Sequence, residues 1–186
     1  EIEKMEGCSV MIKRELYMKR IRPFIGNDLI KVMTGVRRAG KSVMLELVKE
    51  ELLEAGVSQS QFICINFENM QYAHLQTAQN LHSEILERAE IKGKVYLFFD
   101  EIQEVTDWEK CINSLRVSLD CDIYITGSNA KLLSGELATY LGGRYVEFVI
   151  YPFSFAEFLE LYRQKMPDET ETLAFQKYLL LGGMPY

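Results

Sequence analysis

No stretch of this chain is apolar for long enough to span a membrane, and its first residues, Glu1-Ile2-Glu3-Lys4, lack the pattern of a secretory leader. The expectation is a cytoplasmic protein. Metal-binding and disulfide frameworks are not supported either. The four cysteines, Cys8, Cys64, Cys111 and Cys121, lie far apart with no C-x-x-C pair, as reduced core or surface thiols do. There are only two histidines, His74 and His82, both isolated, and neither is assigned a role. Repeats and low-complexity tracts are missing too. A net charge of -6 gives no general attraction to nucleic acid. What is present is a chain of 186 residues, 48% hydrophobic, able to bury the core of one ordinary domain with a small appendage.

One segment departs from the acidic balance. Residues 13–22, KRELYMKRIR, carry Lys13, Arg14, Lys19, Arg20 and Arg22, with Leu16 and Ile21 available to pack inward. This reads as a solvated helix face or as a contact for nucleic acid or an acidic partner.

Residues 34–42, TGVRRAGKS, fit the spacing G-x-x-x-x-G-K-[ST], with Gly35, Gly40, Lys41 and Ser42 at the fixed positions. A triphosphate needs many donors within a few ångströms. The loop must therefore wrap backbone N–H groups around the phosphates, and glycines permit both the turn and the approach. The cradle would comprise Gly35, Val36, Arg37, Arg38, Ala39, Gly40, Lys41, Ser42 and Val43. Lys41 would reach the β and γ oxygens, the Ser42 hydroxyl would hold magnesium, and the following helix would add its positive end. The context agrees. Asp28–Thr34 is a short, mostly apolar run, and Val43, Met44, Leu45, Leu47, Val48, Leu52 and Leu53 follow at helical spacing until Gly56.

The rest alternates. A helix from about Met11 stops before Pro23, and further strands are expected at Gln61–Phe67, Lys94–Phe99, Asp122–Thr126 and Tyr145–Ile150. Leu81, Ile85, Leu86 and Ala89 mark a helix, and Thr106–Glu109 and Ser154–Glu157 both fit the capping box. The alternation implies an α/β fold with a largely parallel sheet covered on both faces.

The third strand ends in FFDE. An apolar run delivering Asp100 to the carboxyl end of a buried strand suits an aspartate that holds magnesium beside the loop hydroxyl. Glu101 can then accept the proton of a water aimed at the γ-phosphate. The fourth strand ends in ITGSNA, which puts Thr126, Ser128 and Asn129 at the same edge of the sheet. Ser128, with Asn129 next, is the favoured γ-phosphate sensor, although Asn129 also suits a helix N-cap. Arg144, after Gly142-Gly143 and before the fifth strand, lies at an exposed boundary. It reads either as a finger reaching a neighbouring subunit's γ-phosphate or as a salt-bridge partner of Glu136 or Glu147.

Taken together, GVRRAGKS, INFEN, LFFDEIQE, ITGSNAKLLSGE, GGRYVEF, YPFSFAEFL and LLLGGMPY resemble the AAA+-type P-loop ATPases of bacteria and archaea in which an N-terminal ATPase domain precedes a C-terminal domain of unknown function. The resemblance covers nearly the whole chain. It implies an ASCE-class P-loop NTPase core of five strands, with an extra strand between those carrying the Walker A and Walker B motifs. It further implies ATP and Mg2+ as ligands and a polar residue at Glu68 that restrains the catalytic glutamate, where a surface carboxylate is an equal reading. Arg37 and Arg38 are typical of such loops and can pair with nearby acids. The expected organisation is an N-terminal helical segment at 1–26, the ATPase core at 27–152, and at 153–186 the start of a helical lid or C-terminal region. The missing initiator methionine and the stop after GGMP read as a fragment. The functional expectation is magnesium-dependent ATP hydrolysis coupled to conformational change in a protein partner or in the chain's own C-terminal domain, with a homo-oligomer possible and no membrane. The alternatives are a slow nucleotide-dependent switch and a nucleic-acid-associated ATPase.

Overall fold

The computed structural model describes residues 12–89, 93–128 and 141–184. Its five strands are β1 Ile30–Thr34, β2 Phe62–Asn66, β3 Val95–Asp100, β4 Cys121–Thr126 and β5 Tyr145–Val149. They form one sheet in the order β2-β3-β4-β1-β5, and every pairing is parallel. β4 therefore lies between β1 and β3, the extra strand that the resemblance implies. β1, β3 and β4 are buried along their whole length, which is why they read as continuous apolar runs rather than alternating ones.

Among the described residues, six α-helices flank or follow the sheet: α1 Glu15–Ile21, α2 Lys41–Glu54, α3 Ala78–Arg88, α4 Trp108–Ser118, α5 Phe155–Lys165 and α6 Glu171–Leu181. Leu81 and Ile85 of α3 and Ile112 and Leu115 of α4 cover one face of the sheet with Val32, Leu97 and Ile125. Met44 and Val48 of α2 and Met18 and Ile21 of α1 cover the other, against Met33, Phe98 and Tyr124. Gly56 ends α2 as expected. At φ 93° it lets the Gly56 and Val57 N–H groups turn back onto the carbonyls of Leu53 and Leu52. No helix among the described residues is long and apolar enough to cross a membrane.

Local expectations are corrected in α1 and at the start of α4. First, α1 begins at Glu15, because Arg14 takes a left-handed backbone (φ 44°) that interrupts any helix from Met11, itself outside the described residues. Within α1, Tyr17, Met18 and Ile21 face the core, while Leu16 is 60% exposed. Second, Thr106 does not cap α4. Its backbone is already committed to the strand-like pairing with Gln76 and Ala78, and Asp107 takes the cap position without a side-chain bond. The Ser154–Glu157 capping box does form.

At the amino end of the strands, Lys31 and Asp122 are wholly buried and joined at 2.5 Å. Asp122 also accepts hydrogen bonds from the Tyr124 hydroxyl and the Gly26 N–H, and Lys31 donates to the Asn27 carbonyl. Each buried charge is thus met by several partners, the condition under which such a pair is tolerated in a core. Burial pulls the Lys31 ammonium below its usual range, with Asp122 opposing.

Candidate functional site

The site lies at the opposite, carboxyl edge of the sheet. β1 runs into the loop at Gly35, whose φ of 150° suits glycine. A Cβ there would stand 2.2 Å from the Ile150 carbonyl oxygen, so only a residue without a side chain lets the loop leave between β1 and the end of β5. Gly40, at φ 92°, ends the loop, and Arg38 between them is also left-handed at φ 65°. α2 starts directly afterwards, so the first N–H groups of Lys41, Ser42 and Val43 have no partner within the helix. Val36, Arg37, Arg38, Ser42 and Val43 are exposed on the loop and first turn, whereas Ala39 is buried.

Lys41 crosses back over the loop. Its side chain is 4% exposed, and Nζ lies 3.4 Å from the Gly35 carbonyl, 3.3 Å from that of Val36 and 3.6 Å from Glu101 Oε1. A buried ammonium held by two weak carbonyl contacts and one carboxylate is placed to receive an anion.

β3 delivers Asp100 and Glu101. Asp100 is 6% exposed and receives hydrogen bonds from the Thr126 hydroxyl and, at 3.1 Å, from Asn66 Nδ2. Glu101 sits in the left-handed region at φ 54°, a conformation costly for a residue with a side chain. The bond from its N–H to Thr126 Oγ1 (3.0 Å) holds it there, and Gln103 Nε2 donates to its Oε2 at 2.5 Å. Thr126 therefore links both acids through one hydroxyl. Asp100 and Ser42 line a common cavity of about 380 Å³, together with Glu46, Lys49 and Asn66. One hydroxyl and one carboxylate fit magnesium, an ion that keeps several waters and takes its other ligands from phosphates.

Other expected residues fall as follows. Ser128 lies two positions beyond β4, half-buried, and Asn129 lies outside the described residues. Glu68 pairs with Arg37 at 3.4 Å, both well exposed, in keeping with the surface-carboxylate reading and with loop arginines pairing to acids. Arg144 is exposed at the boundary before β5. Ile30 N–H donates to the Arg144 carbonyl, and Tyr145 pairs with Ile30, so Arg144 stands at the amino end of the strands, away from its own loop. Of its two expected salt-bridge partners, Glu147 is bonded to the Thr34 hydroxyl at 2.6 Å, and Glu136 lies outside the described residues.

The basic segment is not a uniform solvated face. Arg14 is 2% exposed and bonded internally, whereas Lys13, Lys19, Arg20 and Arg22 are exposed, Arg22 being bridged to Glu15 and Glu51. Cys64, Cys111 and Cys121 are free thiols. Burial pushes Cys111 up to about 12 and Cys121 up to about 11, so neither is a nucleophile. Asn66 and the bridging part of Thr126 were not singled out from the sequence. The available signal was a polar residue at the carboxyl end of a buried strand.

Comparison with known proteins bears on the family and the fold. Residues 27–159 match the sequence profile of the family described as AAA domain. An uncharacterized protein of Haemophilus influenzae is 44% identical over 176 residues, covering 94% of this chain and 44% of that protein. A second, from Methanocaldococcus jannaschii, is 35% identical over 184 residues, covering 94% of this chain and 38% of that one. The chain thus spans less than half the length of these relatives. Among solved structures, a Walker-type ATPase of Pyrococcus abyssi superposes with a TM-score of 0.61 at 19% identity, over 95% of this chain and 65% of that one. DnaA from Aquifex aeolicus bound to AMPPCP gives 0.57 at 16%, over 88% and 55%. At such identities these two structures speak to the fold alone.

The Thr126 bridge yields a test. Thr126→Val keeps the shape and deletes a hydrogen bond to a charged group, about 1.5–3 kcal/mol. Steady-state ATP turnover should fall about tenfold or more, and Thr126→Ser should restore most of it. Unchanged turnover in the valine variant would remove Thr126 from the site.

Proposed function

The chain belongs to the AAA-domain family of P-loop ATPases, and on that premise we propose that it binds magnesium-ATP on residues 35–43 and hydrolyses the β–γ phosphoanhydride, driving a conformational change in a partner protein or in a further domain. The observation that carries this reading is the Lys41–Glu101 contact: a buried ammonium on the phosphate loop, 3.6 Å from a carboxylate at the end of β3.

Each residue then has a task. The loop N–H groups and Lys41 hold the β and γ phosphates. Ser42 and Asp100 would hold magnesium, which when bound neutralises charge on the β and γ oxygens. Phosphate oxygens compete with Glu101 for the Lys41 ammonium, so substrate binding releases Oε1 to act on water. Glu101 takes a proton as the water oxygen bonds to the γ-phosphorus and the bond to the bridging oxygen breaks, leaving ADP and phosphate. Ser128, with Asn129 beside it, is assigned to sensing the γ-phosphate. Arg144, distant from its own loop, is assigned to the site of a neighbouring copy in a homo-oligomer. Of the basic segment, Lys13, Lys19, Arg20 and Arg22 are exposed, but Arg22 is paired with Glu15 and Glu51 and Arg14 is buried, which weakens the nucleic-acid reading. The absence of a membrane-length helix among the described residues is compatible with a cytoplasmic location.

Two variants test the site. Lys41→Ala should nearly abolish ATP binding by calorimetry, because the cation facing the phosphates is lost. Glu101→Gln should bind ATP yet hydrolyse it about a hundredfold more slowly or worse, since the amide keeps the shape and loses the basic oxygen. Equal, slow turnover before and after the change would favour a nucleotide switch and remove the base assignment. For Arg144, mixing Arg144→Ala with Lys41→Ala protein should recover part of the turnover that each lacks alone. Normal turnover by Arg144→Ala would eliminate the finger.

A further inference from the structure

Arg14 is the most heavily bonded buried cation in the described structure, and no step of hydrolysis uses it. Its side chain is 1% exposed. Nε bonds Glu157 Oε1 at 2.8 Å, Nη1 bonds the Ala39 carbonyl at 2.9 Å and Nη2 bonds the Tyr151 carbonyl at 2.7 Å. The guanidinium lies over the rings of Tyr17, 4.6 Å away, and Phe153, 5.1 Å away. Three segments thus meet on one planar group: the start of α1, the phosphate loop, and the stretch leading from β5 into α5.

The contact with Ala39 has a directional consequence. The described peptide bonds include no cis form, and in a trans peptide the C=O and the next N–H point in opposite directions. A carbonyl of Ala39 turned toward Arg14 therefore turns the Gly40 N–H away from it. In a loop that acts as a cradle the Gly40 N–H faces the bound phosphate, and a glycine at φ 92° has no side chain of its own to limit how the Ala39–Gly40 peptide turns. Arg14 supplies that restraint from outside the cradle. Its backbone is left-handed at the N-cap of α1, and its side chain is buried.

The other bonds tie this restraint to α5. Glu157 closes the capping box of α5, accepting from the Ser154 N–H at 2.9 Å, and Phe153 is joined onward to Gly183 and to the Tyr178 hydroxyl of α6. Burial would raise the Glu157 carboxyl, yet hydrogen bonds from Arg14 and Ser154 outweigh it and hold the group below the usual carboxylate range. It stays a carboxylate, and the pair stays ionic, near neutral pH.

We propose that Arg14 is a positioning residue of the nucleotide site, holding the Ala39–Gly40 peptide with its N–H turned toward the phosphates and, through Glu157, making that orientation depend on the seating of α5. The inference rests on the reading of residues 35–43 as an ATP site. By linkage, whatever the α5 contact adds to nucleotide affinity, nucleotide adds to the seating of α5.

The test separates affinity from chemistry. Arg14→Met fills similar volume without the hydrogen bonds. It should raise the ATP dissociation constant at least tenfold while kcat at saturating ATP stays within about threefold, because Lys41, Asp100 and Glu101 are untouched. Glu157→Gln, a milder change that leaves Arg14 in place, should raise the dissociation constant about threefold, and nucleotide-dependent hydrogen-exchange protection of α5 should be lost in Arg14→Met. Arg14→Lys, which cannot reach three acceptors in one plane, should recover only part of the affinity. Wild-type affinity in both Arg14→Met and Glu157→Gln, with the wild-type chain binding and Lys41→Ala not, would overturn this inference and leave the ATP site standing. Failure of the wild-type chain to bind ATP would overturn both.

Discussion

The parallel register of the central strands is the constraint on which the rest of the site depends. Phe99 pairs with Ile125, Met33 with Thr126 and Asn66 with Asp100, so β1, β3 and β4 end level and their last residues meet. A slip of one residue would send Asp100 and Thr126 to opposite faces of the sheet. With the register as it is, one threonine hydroxyl reaches the Asp100 carboxylate and the strained Glu101 backbone together. The register is held by apolar strands buried on both faces, so the precision of a polar site derives from packing on either side of it.

Charge is distributed along the same axis. At the amino end of the strands, Lys31 and Asp122 neutralise each other and are closed to solvent. At the carboxyl end, among the described residues, Lys41 is met by Glu101 and by two carbonyls at long distance, which leaves it responsive to an incoming anion. Arg14 is a third case, a buried cation spent on shaping the backbone. On the proposed reading, these three buried cations of the described residues serve three ends: closing the core, meeting phosphate, and fixing the loop that meets it.

Legibility in the sequence tracked the range of the interaction involved. The phosphate loop, the strand before it and the helix after it could be read directly, because glycine torsions and helical periodicity are local properties. Gly35 was read as a position needing close approach, but the Ile150 carbonyl it must clear belongs to a segment far along the chain. Strand order was not legible from spacing and came only through resemblance. Thr106 failed as a cap because a backbone pairing with Gln76 and Ala78 overrode a local pattern. Arg14 was hidden most thoroughly. Amid KRELYMKRIR it reads as one of several solvated charges, and its burial is decided by Glu157, 143 positions away.

The proposed reaction is attack of water on the γ-phosphorus of ATP, with Glu101 taking the proton. Hydrolysis in water enriched in oxygen-18, followed by mass analysis of the products, tests it most directly. Attack at the γ-phosphorus puts one labelled oxygen in the released phosphate and none in ADP. Label in ADP, or consumption of ATP without release of labelled phosphate, would contradict it.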